Sequence, residues 1–296
     1  MLRDKYKIIS KLSAGRKFGV IYLGEEISSG KNVIIKSLLK SPENTTAVNQ
    51  LNNEAQFDFN ISGLPKIIEK IESEHEILLV KYFEEGYPLN KHWKTLKKKE
   101  QITFLISLME KLDSLLSPLY EKEIYHLDLK PGNILINTKK DDFDVKIIDF
   151  GLAITKKEPN QRKVLFPLGY AAPELILNQL DLVDQRTDIF ALGVSMYTLF
   201  TGKLPLSHPN PSIYTNLQIT HPIPSSNMIR KGVFQIIEKM TFKHQFRLPP
   251  NKLEPSELKI QLQEGMNGRY AHINHIIDDL KKLNQKKSFY QRISFR

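Results

Sequence analysis

The chain contains no cysteine. That excludes disulfides, thiolate metal sites and a thiol nucleophile, and it fits a reducing compartment. Long apolar runs are missing too. The longest, IFALGVSMYTLF from Ile189 to Phe200, is too short to span a bilayer and reads as a buried helix. No transmembrane segment is expected. The N-terminal MLRDKYKIISKL lacks the apolar centre of a signal peptide. There is no internal repeat and no low-complexity segment. Zinc spacing and interleaved aromatic and basic residues are also absent, so nucleic acid is not an expected partner.

What remains is ordinary globular composition: 296 residues, 41% hydrophobic and 26% charged. That is enough for one large domain or two lobes, each with a core. The net charge of +10 is uneven. KHWKTLKKK (91–99) has five lysines and no acid, and 281–296 has six basic residues and no acid. These stretches account for the whole excess, so the rest is close to neutral. Each is a solvated basic surface or a contact for an acidic partner or anionic surface.

YKIISKL, GVIYLGEE and NVIIKSLL are β-branched runs separated by turn-like SAGRKF and SSGK. SPENTTAVNQLNNEAQFDF has helix-start chemistry, and PKIIEKIES and EILLVKYF return to the strand pattern. From Gln101 to Tyr120, leucines and Met109 recur at helical spacing, with Pro118 expected to kink or end the helix. Asp184 to Phe200 reads as an interior helix. The chain therefore divides near 83–90 into a strand-rich part and a larger helical part, and a ligand cleft between lobes is common.

YHLDLKPGNILI (125–136) carries the chemistry. Asp128 can orient and deprotonate a hydroxyl, the Asn133 amide oxygen can hold a hard cation, and Lys130 can neutralise a transferring phosphate. In VKIIDFG, Asp149 ends an apolar strand before Phe150 and Gly151, an arrangement that suits magnesium.

These stretches resemble those of eukaryotic-type protein kinases, and the likeness covers roughly residues 6 to 283. HLDLKPGN is similar to the catalytic loop H-R-D-L-K-P-x-N, DFG to the metal motif and VIIK to V-A-I-K. GYAAPE (169–174) resembles the end of the activation segment, and DIFALG (188–193) the start of the central helix. The resemblance implies an α+β, two-lobed kinase fold: a β-rich N-lobe (1–82), a helical C-lobe (83–284) and a basic tail (285–296). It implies Mg2+ (or Mn2+) and ATP as cofactors and a protein substrate. Asp128 would be the catalytic base and Lys130 would stabilise the phosphoryl group. Asn133 and Asp149 would hold the metal, and Lys36 would pair with Glu54, well inside the small-lobe helix. Nucleotide contacts would come from Gly15 and Gly19. Adenine would lie between Leu12, Ile21 and Ile34 above and Leu135 below, with Val80 as gatekeeper and Lys81 to Phe83 as hinge. Glu174 would pair with Arg247, and Asp188 would brace the catalytic loop. His126 would be structural.

Four departures matter. Ser13 stands where the first loop glycine is expected, with one extra residue before Phe18, and Arg16 and Lys17 offer compensating charge. Ile34 replaces an alanine. Leu127 replaces the phosphate-binding arginine, and 156–169 contains no serine, threonine or tyrosine. Activity is therefore expected not to need activation-loop phosphate. Pro167 stands where a hydroxyl is usual. The leading expectation is a serine/threonine protein kinase. A nucleotide-binding pseudokinase scaffold and a small-molecule phosphotransferase are the alternatives. The domain fills the chain, which points to regulation by a partner or the tail. Lys-, Ile- and Asn-rich usage in a minimal domain suits a bacterial or viral enzyme, including one injected into a host cell; a cytoplasmic site, or secretion as an effector, is the expectation.

Overall fold

The structure, a computed structural model, describes residues 2–15, 19–140, 142–156 and 166–293. The elements run α1 (Leu2–Lys5), β1 (Tyr6–Gly15), β2 (Gly19–Glu26), β3 (Asn32–Leu39), α2 (Thr45–Glu54), β4 (Ile67–Glu72) and β5 (Glu76–Tyr82). They continue with β6 (Tyr87–Pro88), α3 (Leu89–Trp93), α4 (Gln101–Tyr120), β7 (Ile124–Tyr125), β8 (Ile134–Thr138), β9 (Phe143–Ile147) and β10 (Ile154–Thr155). Helices follow: α5 (Pro173–Ile176), α6 (Gln185–Thr201), α7 (Pro211–Thr220), α8 (Lys231–Met240), α9 (Pro255–Asn267) and α10 (Ile273–Ile293). No helix of the described residues is long and apolar enough to cross a membrane.

Two compact units form. The first is 1–86 with 137–153; the second is 87–136 with 154–296. The first crossing from one unit to the other lies between residues 86 and 87, and residues 137–153 group with the strand-rich unit.

The first unit is built on an antiparallel sheet of order β1-β2-β3-β5-β4. Residues directly opposite one another share a face, and faces alternate along each strand. Val33, Ile35, Leu78 and Val80 join Tyr6 in a core on one face. On the other, Leu38, Ile77 and Leu79 pack against Ala47 and Leu51 of α2. The register pairs Ile21 with Lys36 and Ile34 with Lys81, so these four belong to the α2 face. Helix α2, TTAVNQLNNE, is poor in good helix formers and has no side-chain N-cap bond. Ten residues of such composition are not stable alone, so packing holds this helix.

In the second unit α4 buries its leucine face. Pro118 sits inside its last turn, where its missing N–H costs only the bond to the carbonyl four residues earlier. Helix α6 is buried nearly all round. It starts at Asp184, whose carboxylate accepts from the Arg186 N–H at 2.8 Å, and it stops at Gly202 with φ +73. Two short pairings, β7 with β10 and β6 with β8, flank the loop carrying Asp128.

Candidate active site

In the first unit, the Lys36 ammonium on β3 donates to Glu54 Oε2 at 2.6 Å and to Asp149 Oδ1 at 3.0 Å. The Glu54 side chain is 3% exposed and that of Asp149 42%. Burial opposes the charge on Lys36, but Asp149 and Glu54 outweigh it and hold the pKa above the ordinary lysine value. Asp149 has φ +70, a left-handed conformation uncommon outside glycine. Behind it, buried Phe150 packs on Phe57 and Phe59, with centroids at 5.8 and 4.9 Å. Asn53 fixes the same segment, donating to the carbonyls of Gly151 and Ala153 at 3.1 and 2.8 Å.

The other expected nucleotide contacts divide. Ile21 and Ile34 lie on the Lys36 face. Gly15 pairs with Gly19 at the β1–β2 turn. Gly19 has φ +74, and a Cβ there would collide with the Ser37 carbonyl, so only glycine fits. Arg16 and Lys17 lie outside the described residues. Leu12 falls in a register shift of β1 and is 52% exposed. Val80 does not face Lys36, against the gatekeeper expectation: it is buried in the opposite core, and Lys81 takes the Lys36 face. Two backbone amides of the expected hinge are already paired. The N–H of Phe83 donates to Asn32 O at 3.1 Å and that of Tyr82 to Lys66 O at 3.2 Å, so neither is offered to adenine. Glu54 is the last residue of α2 rather than well inside it.

In the second unit Asp128 is buried. Its Oδ2 accepts from Lys130 Nζ at 2.6 Å and from Asn133 Nδ2 at 2.9 Å. Asn133 Nδ2 also reaches the Asp128 carbonyl at 2.9 Å. With its NH2 committed, Asn133 presents the amide oxygen, the atom a hard cation takes. The Asp128 N–H donates to His126 Nδ1 at 3.2 Å, a structural role for that histidine. Asp188, in the first turn of α6, accepts from the N–H groups of His126 and Leu127 at 2.9 and 2.8 Å, as expected. Burial raises the Asp188 pKa, and His126 and those two bonds oppose the rise. Leu127 is itself buried with φ +63. The loop is therefore held in a costly conformation by its braces. Leu135 is buried on β8, opposite Pro88. Pro167 is exposed, and its carbonyl accepts from the N–H of Tyr170 at 3.2 Å.

Glu174 does not pair with Arg247, which is exposed. Its partner is Arg269, through Nη1 to Oε1 at 2.6 Å and Nη2 to Oε2 at 3.0 Å. Thr187 Oγ1 also donates to Glu174 Oε1 at 2.8 Å. The resemblance implied Arg247, and no local feature of the sequence points to Arg269 instead.

The model of the protein kinase domain matches residues 6–285. The chain belongs to the protein kinase family. Calcium-dependent protein kinase 26 of Arabidopsis thaliana is 31% identical over 220 residues, covering 69% of this chain and 42% of that protein. Mouse Aurora kinase B is 28% identical over 248 residues, 81% and 68% respectively. Serine/threonine-protein kinase PrkC of Bacillus subtilis is 25% identical over 262 residues, 86% and 39%. The chain thus spans less than half of the first and third of these relatives. The fold is that of the kinase domain, with a β-sheet N-terminal region and a helical C-terminal part. The family generally uses ATP and Mg2+ and acts on protein substrates. Among the described residues no group of three or more His, Cys, Asp or Glu could hold a metal.

Proposed function

We propose that this kinase transfers the γ-phosphoryl group of Mg-ATP to serine and threonine hydroxyls of proteins, without needing activation-loop phosphate. The observation that carries this is Asp128 held by Lys130 and Asn133 on a loop braced by Asp188. A buried carboxylate fixed in this way can accept a hydroxyl proton, while Lys130 balances charge at the same oxygen. Lys36, oriented by Glu54, binds phosphate oxygens, and Ile21 and Ile34 supply apolar surface for the purine. Asn133 and Asp149 would each offer an oxygen to Mg2+, which when bound would supply positive charge against that of the transferring group. Specificity for serine and threonine rests on the K-P-x-N context and on the relatives' names.

Independence from activation-loop phosphate is supported by Leu127, a buried side chain with no charge to bind phosphate. Most of 157–169 lies outside the described residues. Lys91, Lys94, Lys97, Lys98 and Lys99 are all exposed, which favours a docking role toward an acidic partner or anionic surface. In the second basic stretch, Lys281 and Lys282 pair with Glu110 and Asp279. The side chains from 286 onward lie outside the described residues.

The test is transfer of labelled phosphate from Mg-ATP to basic and acidic protein substrates, before and after phosphatase treatment, beside Asp128→Asn. Label on serine or threonine, absent in the variant and unaffected by phosphatase, is expected. Loss after phosphatase would refute phosphate independence. Pro167, which has no hydroxyl, favours a second reading as a scaffold. Nucleotide binding with no transfer to any substrate would support it.

A further inference from the structure

Glu54 is shared by two lysines. Its Oε2 holds Lys36 at 2.6 Å, and its Oε1 accepts from the ammonium of Lys81. The Lys81 side chain is 8% exposed. Its place on the sheet is unambiguous, because Lys81 pairs with Ile34 and so faces the side from which Lys36 projects.

A buried lysine at this point has to be explained. Burial, and then repulsion from Lys36, lower its pKa, against the attraction of Glu54 and Asp149. Nature of the chain around it supplies the reason. Helix α2 is short and weakly helical by composition, and Glu54 is its last residue, where helices fray. A carboxylate there, held by Lys36 through a single oxygen, would keep its second oxygen buried and unpaired. It could then rotate both oxygens onto Lys36 and draw that ammonium away from a ligand. With Lys81 bound, one oxygen is satisfied and the other aims Lys36.

We propose that Lys81 is a positioning residue that pins Glu54 at the end of α2 and thereby aims Lys36 at nucleotide phosphate. The proposal rests on reading the Lys36 region as the nucleotide site.

The test is a double-mutant cycle on the whole chain, read by ADP affinity with and without Mg2+ and by thermal unfolding. Lys81→Met is expected to weaken ADP about tenfold, more without Mg2+ than with it, and Lys81→Arg to stay within about threefold of wild type. In a Glu54→Gln background, Lys81→Met should cause no further loss of affinity and should raise Tm, because it removes a stranded buried cation. Equal losses of affinity in both backgrounds would mean that Lys81 acts on the ligand directly, and would overturn the proposal. A change in Tm with unchanged affinity would leave only a structural role and overturn it too. Wild type that binds no nucleotide would sink both this inference and the site reading. Binding without phosphoryl transfer would sink the kinase reading alone.

Discussion

Replacing Arg269 by methionine strands Glu174, whose side chain is 0% exposed against 1% for Arg269. The arginine fills both carboxylate oxygens, donates to the Phe242 carbonyl at 3.1 Å and lies 4.8 Å from the centre of the Phe190 ring. After the change, Glu174 keeps its Thr187 bond but no positive charge. Removing one partner of a buried pair costs about 3–5 kcal/mol. At roughly 2–4 °C per kcal/mol for chains somewhat shorter than this one, Tm should fall by about 6–20 °C. Arg247→Met, at an exposed site, should change stability by no more than about 0.5 kcal/mol. Circular dichroism melts of the two variants side by side decide the matter. The double variant Arg269→Met/Glu174→Gln should recover part of the loss, since no buried charge is left unpaired. An Arg247→Met shift as large as that of Arg269→Met would refute the reasoning, as would no recovery in the double variant.

Two further expectations follow from the same unit. Burial, then Arg269, lowers the Lys243 pKa from 10.5 to about 7. The unfolded chain therefore binds more protons than the folded one between these values, and stability rises with pH through that window. The full effect is about 5 kcal/mol at ~1.4 kcal/mol per unit, all of it missing below pH 7. Lys243→Met should flatten the rise of Tm between pH 7 and 9.5, and an unchanged slope would contradict the assignment. Asp188→Asn weakens the brace on Leu127, so phosphoryl transfer should fall about 100-fold from misplacement of Asp128 while the ADP dissociation constant stays within twofold. An equal loss in both would mean that the damage is not confined to the loop.

Much of the candidate site was legible because its chemistry is local. Asp128, Lys130 and Asn133 fall within six residues, so one loop conformation brings them together, and their hydrogen bonds are short-range. Lys36 and Asp149 each end or interrupt an apolar strand, which marks them. Glu54 followed from the resemblance, but its place at the end of α2 did not, because NNEAQF carries no stop signal stronger than its neighbours. The alternation of VIIKSLL and the leucine spacing of 101–120 likewise declared a strand and a helix.

Facing and distant pairing were decided only by the tertiary structure. EILLVKYF is apolar on both faces, so its pattern carries no phase, and a one-residue error exchanges Val80 for Lys81. The ladder between β3 and β5 sets that phase, and with it a second lysine on Glu54. The partner of Glu174 lies 95 residues away. Both Arg247 and Arg269 have the right charge, and nothing local separates them. Burial of both ends does, since a carboxylate out of water requires whichever guanidinium the packed helices bring to it.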